Sequence, residues 1–113
     1  MVRTAISAST AIYIENFLKD VVTKGSGKSA AIPRSVVIGM PARDKKWDPV
    51  QGAYSKDRYV DFFVGYVRKG YSAPIVVLVL IDEPRGNFQA SNLAAPVFAR
   101  IAEFTMDYLD RTL

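Results

Sequence analysis

Residues 75 to 81 read Ile-Val-Val-Leu-Val-Leu-Ile, an unbroken apolar run rich in β-branched side chains. It is far too short to cross a bilayer as a helix. Its composition suits a pleated strand. Because the apolar residues are continuous rather than alternating, both faces of this strand are expected to be buried. A strand of that kind needs pairing partners and a helix for each face, and the rest of the chain is read for them. Residues 58–67 ("RYVDFFVGYV") are aromatic and β-branched and predict a second strand, joined to 75–82 by a turn through Gly70. Residues 35–39 ("SVVIG"), entered through Pro33, predict a third. Residues 40–57 are polar and contain Pro41, Pro49 and Gly52, the pattern of a long loop. A second loop over 82–91 contains Pro84 and Gly86.

Two segments have helical periodicity. Over 8–24, Ala11, Ile14, Phe17, Leu18, Val21 and Val22 form one apolar stripe, with Ser7 or Ser9 as cap and Gly25 and Gly27 as stop. Over 92–111, Leu93, Val97, Ile101, Phe104 and Tyr108 form another, with Pro96 tolerated in the first turn. Strands joined by turns rather than crossover helices pair antiparallel. The expected fold is therefore α+β, a three-stranded antiparallel sheet with an N-terminal and a long C-terminal helix. A chain of 113 residues is at most one domain.

Composition narrows the chemistry. There are no cysteines, which removes disulfides and thiolate chemistry, and no histidines, which removes the commonest general base and metal ligand. No cofactor or metal is expected. The net charge of +4 is scattered, with short clusters at Arg43-Asp44-Lys45-Lys46 and Arg68-Lys69, as a solvated surface is. Tyr59, Phe62, Phe63 and Tyr66 are expected to be core and sheet residues rather than a base-stacking platform, so no nucleic-acid partner is expected. Asp82 and Glu83 read as a solvated strand end, their side chains pointing different ways. The start lacks a signal-peptide core, so the chain alone is expected to be soluble and unexported. "KGSGKS" at 24–29 imitates a phosphate-binding loop, but the position five before Gly27 is Val22, not glycine. A helix precedes the string and a strand follows, the reverse of what phosphate binding needs. It reads as a helix stop.

Three longer blocks point elsewhere. Residues 5–39 ("AISASTAIYIENFLKDVVTKGSGKSAAIPRSVVIG"), 53–67 ("AYSKDRYVDFFVGYV") and 79–101 ("VLIDEPRGNFQASNLAAPVFARI") resemble, in order, the C-terminal part of the transpeptidase domain of class B penicillin-binding proteins. In that family the second block is similar to "GYSKDRYVASFVGFAP". The resemblance covers nearly the whole chain, 1–113, as one partial domain. It implies a peptidoglycan D,D-transpeptidase of elongation or division, with stem peptides as substrate and β-lactams as their mimics. It also implies a membrane-anchored parent whose catalytic domain is extracytoplasmic. The family's chemistry uses a serine with a lysine three residues on, a Ser-x-Asn motif, and Lys-Thr-Gly on an edge strand. The first two lie upstream of the matching region, and neither occurs here; Ser91-Asn92 lacks the intervening residue. The family's Gly-Lys-Thr-Gly-Thr falls on Gly39, Met40, Pro41, Ala42 and Arg43. Methionine supplies no cation, and Pro41 lacks both hydroxyl and N–H. Arg43 is expected to be a solvated loop charge. No residue is assigned a catalytic role.

Pro-Ala-Arg is also what codons for Thr-Gly-Thr can spell when read one base later. A short compensated frame slip is the hypothesis for residues 41–43, and coding DNA whose shifted frame does not spell the family motif would sink it. The family sheet has five strands, two of them from the upstream side. Strand 75–82 is then a bare apolar edge, expected to pair with the missing half of the domain or with another copy of itself.

Overall fold

The structure is a computed structural model that describes residues 2–70, 72–86 and 90–112. In chain order it contains α1 (Ala8–Thr23), a single 3-10 turn (Lys28–Ala30), β1 (Val36–Asp48), β2 (Ala53–Arg68), β3 (Ile75–Asp82) and α2 (Ala90–Thr112). The strands form one antiparallel sheet in the order β1-β2-β3. The α+β class and all five expected elements are present.

Local chemistry sets the ends of α1. Ser7 is extended and its Oγ accepts a hydrogen bond from the Thr10 N–H at 3.2 Å, satisfying one of the helix's orphan donors. At the other end Gly25 N–H donates to the Asp20 and Val21 carbonyls and Gly27 N–H to that of Val21. A Cβ on Gly25 would lie 3.0 Å from the Val21 carbonyl oxygen, so this tight exit favours glycine. Lys28 follows as an exposed residue of the 3-10 turn.

The core lies between one face of the sheet and α2. Phe63 of β2 meets Phe98 of α2 with ring centroids 4.5 Å apart. Val37, Val67, Val79, Ala94, Ala102 and Met106 close around them, with Val22, Ala30 and Ile32 sealing one end. Burying Phe98 is worth about 3 kcal/mol by transfer alone. The alanines matter because they let the helix axis approach the sheet.

Four expectations change. First, residues 40–57 are not a loop: β1 runs on to Asp48, β2 starts at Ala53, and only the tip at 49–52 is a turn. The polar and proline-containing sequence misled because this hairpin extends beyond the core, where a strand is wet on both sides and alternation disappears. Its tip is held by the Asp48 carboxylate, which accepts from the Val50 and Gln51 N–H groups, by Gly52 at φ 64°, and by an edge-to-face Trp47–Tyr54 pair with centroids 5.2 Å apart.

Second, β3 is not buried on both faces. Val79 is buried, and Ile75, Val77 and Ile81 pack on the core, but Val76, Leu78 and Leu80 remain 75%, 61% and 58% exposed. β3 is the outer strand, and α1 covers only the start of β1, where Ile38 is buried.

Third, the expected stripe of α2 faces away from the sheet. Val97, Ile101, Phe104 and Tyr108 are exposed, and the buried side is Ala94, Ala95, Phe98, Ala102 and Met106. Large side chains drew the periodicity argument to the wrong face. Fourth, of the α1 stripe only Val22 is buried, while Ile14 and Phe17 stay in solvent. Among the described residues, the free face of the sheet, the outside of α2 and much of α1 thus present exposed apolar side chains.

Candidate functional site

The segment expected from the resemblance to stand at the substrate-binding strand, Gly39–Arg43, lies in the middle of β1, at an outer edge of the sheet. Gly39 stands opposite Gly65 of β2. A Cβ on Gly39 would come within 2.4 Å of the Val64 carbonyl oxygen and 2.7 Å of the Gly65 Cα, so the backbones approach as only glycines permit. Met40 is 44% exposed and carries no charge. Pro41 pairs with Phe63 and Ala42 with Phe62 in register, both half-buried. An outer strand is where a sheet tolerates proline.

Arg43 is the surprise of the site. It is neither in a loop nor simply solvated. It stands in register with Asp61 of β2, and the guanidinium fork meets that carboxylate twice, Nε to Oδ1 at 2.5 Å and Nη2 to Oδ2 at 2.7 Å. The Asp61 side chain is wholly buried, whereas that of Arg43 keeps 30% of its surface in water. The Tyr59 ring lies 5.1 Å from the guanidinium carbon, in cation–π range. The hydrogen bonds to Asp61 raise the Arg43 pKa above its ordinary value, against a smaller opposing effect of desolvation. Asp61 was missed in the sequence although it carried a signal. It is a lone carboxylate at the parity of Phe63 and Val67, hence on the core side of β2, and a buried carboxylate there requires a cation.

Further along β1 the pairing slips between Lys45 and Trp47. This irregularity frees Lys46 to bind Asp82 at 2.8 Å and Glu83 at 2.9 Å, which raise the lysine pKa through those hydrogen bonds. Asp82 and Glu83 therefore do converge, on one ammonium, contrary to the expectation that they point apart. Glu83 has φ 50° and its N–H donates to the Tyr59 carbonyl. Arg58 joins the network through Asp48 at 2.9 Å. These charges tie the hairpin to the end of β3. Of the four aromatics considered, Phe63 is in the core, and Tyr59, Phe62 and Tyr66 are half-buried on the sheet. Among the described residues no cluster of His, Cys, Asp or Glu could hold a metal ion.

The fold and site define a class: a helix-flanked piece of an antiparallel sheet, with a glycine-paired outer strand and unpartnered apolar faces. Comparison with known proteins gives the family. The family model described as the penicillin binding protein transpeptidase domain matches residues 1–103. The transpeptidase domain of the FtsI4 D,D-transpeptidase from Legionella pneumophila is similar, with 31% identity, TM-score 0.72 and coverage of 89% of this chain and 37% of that one. So is the transpeptidase domain of Burkholderia pseudomallei penicillin-binding protein 3, with 31% identity, TM-score 0.75, and 92% and 31% coverage. Penicillin-binding protein 3 of Mycobacterium tuberculosis matches at 26% identity and TM-score 0.74, over 93% and 25%. No curated protein sequence matches. The chain belongs to the penicillin-binding protein transpeptidase family, as the sequence blocks implied. It spans between 25% and 37% of the length of these three solved structures.

Proposed function

We propose that this chain is the C-terminal part of a peptidoglycan D,D-transpeptidase domain, 1–113 forming one partial domain that cannot acylate by itself. The observation that carries this is the exposed apolar surface: an outer strand β3 that is apolar from Ile75 to Ile81, with Leu78 and Val76 in water, beside helix faces that among the described residues also lack cover. Such surfaces fit a piece of a larger sheet whose remaining strands come from upstream sequence. The serine–lysine and Ser-x-Asn elements would come from the same side. Gly39–Arg43 would occupy the place of the substrate strand without its lysine or hydroxyls, so the family's stem-peptide or β-lactam ligand would find neither. Among the described residues no helix is long and apolar enough to cross a membrane. A membrane anchor and extracytoplasmic placement belong to the proposal for the whole protein.

A fluorescent penicillin tests this. No covalent label is expected on the chain alone, and labelling of the chain alone would overturn the reading. A second reading is favoured by the free edge of β3: the chain is an interaction module, or half of a split enzyme, pairing through 75–82. Labelling of a second, serine-bearing polypeptide only when this chain is present would support the split enzyme. Concentration-dependent dimerisation without any such partner would support self-association.

A further inference from the structure

Among the described residues nothing pairs with the outer edge of β3. Across the β2–β3 ladder the Glu83 N–H donates to the Tyr59 carbonyl. Alternation along an antiparallel strand then turns the peptide groups of Val76, Leu78 and Leu80 to the open edge. On the core face α2 packs on β2 and β3 alike. Strands lie about 4.8 Å apart, so the helix axis stands about 2.4 Å inside β3. A two-fold axis through a β3–β3 pair stands the same distance outside it. Two copies of α2 then come about 10 Å apart, close to the roughly 8 to 10 Å of directly packed helices. The side chains agree. Glu103 and Asp107 turn to the segment before β1 and to Lys69. Leu109 turns the other way and lines a cleft with Ile75. Ile101 shares the Leu109 flank of the helix and so looks out past β3. Val97, Phe104 and Tyr108 continue from it onto the exposed side.

We propose that two copies of this chain join β3 to β3 about a two-fold through Val77, forming one six-stranded sheet with the α2 helices packed antiparallel on its core face. The levels along the strands fit this centre. Phe98 meets Phe63, which stands opposite Val79. Ala102 lies one helical turn on towards Ile75, about 6 Å or two strand residues, and so level with Val77. Ile75 to Val79 pair with the same residues of the second copy, all of them apolar and clear of Asp82 and its bond to Lys46. On the helices Val97 meets Tyr108 of the second copy, and Ile101 meets its Phe104. Symmetry makes each contact twice, and with the paired strands the interface reaches roughly the 1,200 Å² at which specific interfaces begin. The inference rests on the reading of 75–82 as a pairing edge and adds the second surface that closes with it.

Sedimentation of the native chain and two variants at exposed positions tests this. Val76→Pro removes an N–H from the open edge, and Phe104→Lys puts a charge in the helix seam. The native chain should dimerise, and each variant should weaken the dimer at least about tenfold. Weakening by Val76→Pro but not by Phe104→Lys would overturn the packed helices and leave edge pairing standing. Weakening by Phe104→Lys alone would overturn the shared sheet. A native chain that is a monomer at every concentration would overturn both and leave these surfaces to upstream sequence. If Val76→Pro fails to fold, cross-linking decides. The chain has no cysteine, so Phe104→Cys treated with a short bis-maleimide should yield a covalent dimer, while Val50→Cys at the exposed hairpin tip should not. No dimer from Phe104→Cys, or equal cross-linking at both positions, would refute the proposed contact.

Discussion

Breaking the Arg43–Asp61 pair from its two ends should have unequal costs, and the inequality follows from burial. Asp61 is wholly buried, while Arg43 keeps nearly a third of its side chain in water. Arg43→Ala strands a carboxylate where water cannot reach it, which in buried pairs costs about 3 to 5 kcal/mol. The water-facing part of Arg43 argues for the lower end, about 3 kcal/mol. Asp61→Ala removes two charge-assisted hydrogen bonds, but the guanidinium can turn outward and recover hydration, so roughly 1 to 2 kcal/mol is expected. The double variant leaves no unpaired charge. It loses only the packing of the arginine stem and a small volume near Asp61, about 1 to 2 kcal/mol in all. The coupling between the positions is then about 3 kcal/mol, at the upper end of the range seen for residues in direct contact. Urea unfolding of the four chains, read as free energy at unchanged slope, makes the measurement. If Asp61→Ala costs as much as Arg43→Ala, or if the two penalties simply add, the reasoning from burial fails.

Three further outcomes follow from other parts of the molecule. Gly39→Ala places a methyl against the backbone of Val64 and Gly65 and should cost about 1 to 3 kcal/mol in urea unfolding, whereas Gly52→Ala meets no atom and should cost about 1 kcal/mol through its positive φ alone. Leu78→Lys puts a charge on the free face of β3 and should reduce self-association in sedimentation without lowering thermal stability; unchanged association would mean that β3 is not the sticky surface. Asp82 and Glu83 hold the Lys46 pKa above its ordinary 10.5, so their support is fully present below that value and fades as pH rises through the folded value. Amide exchange at the hairpin should lose this alkaline dependence in Lys46→Met, and an unchanged dependence would assign it to another group.

The elements that pack against each other were the legible ones. The helix stop at Gly25 and Gly27, the aromatic strand around Phe63 and the antiparallel order all follow from local chemistry that tertiary structure leaves alone. What failed to read correctly depended on surfaces the chain does not cover. The run at 75–81 implies two buried faces, yet α2 covers only one of them and α1 lies over β1 instead, so Val76, Leu78 and Leu80 stay in water. The α2 periodicity picks out Leu93, Val97, Ile101, Phe104 and Tyr108, but the buried side includes Ala94, Ala95 and Ala102, whose small size is their contribution. Gly39–Arg43 lies on an outer strand, and only the register between β1 and β2 shows that Arg43 faces Asp61.

That register bears on how residues 41–43 arose. A frame slip installs side chains without regard to what they face, and a cation arriving opposite a buried carboxylate by that route alone would be fortuitous. On the match the resemblance implies, the family-like block has alanine where this chain has Asp61, and the family strand has threonine where it has Arg43. By the reasoning above the exchange at 61 is the one that is costly alone, since Asp61 beside a threonine is a buried charge without a cation. The exchange at 61 should therefore have followed the one at 43 or accompanied it. An alanine codon becomes an aspartate codon by a single base change, so the order is accessible. The slip hypothesis then gains a second requirement besides codons that spell Lys-Thr-Gly in the shifted frame. Close relatives that carry a small residue at the position of Arg43 should carry an uncharged residue at that of Asp61. A relative with a buried acid there and no facing cation would show that the two positions changed independently.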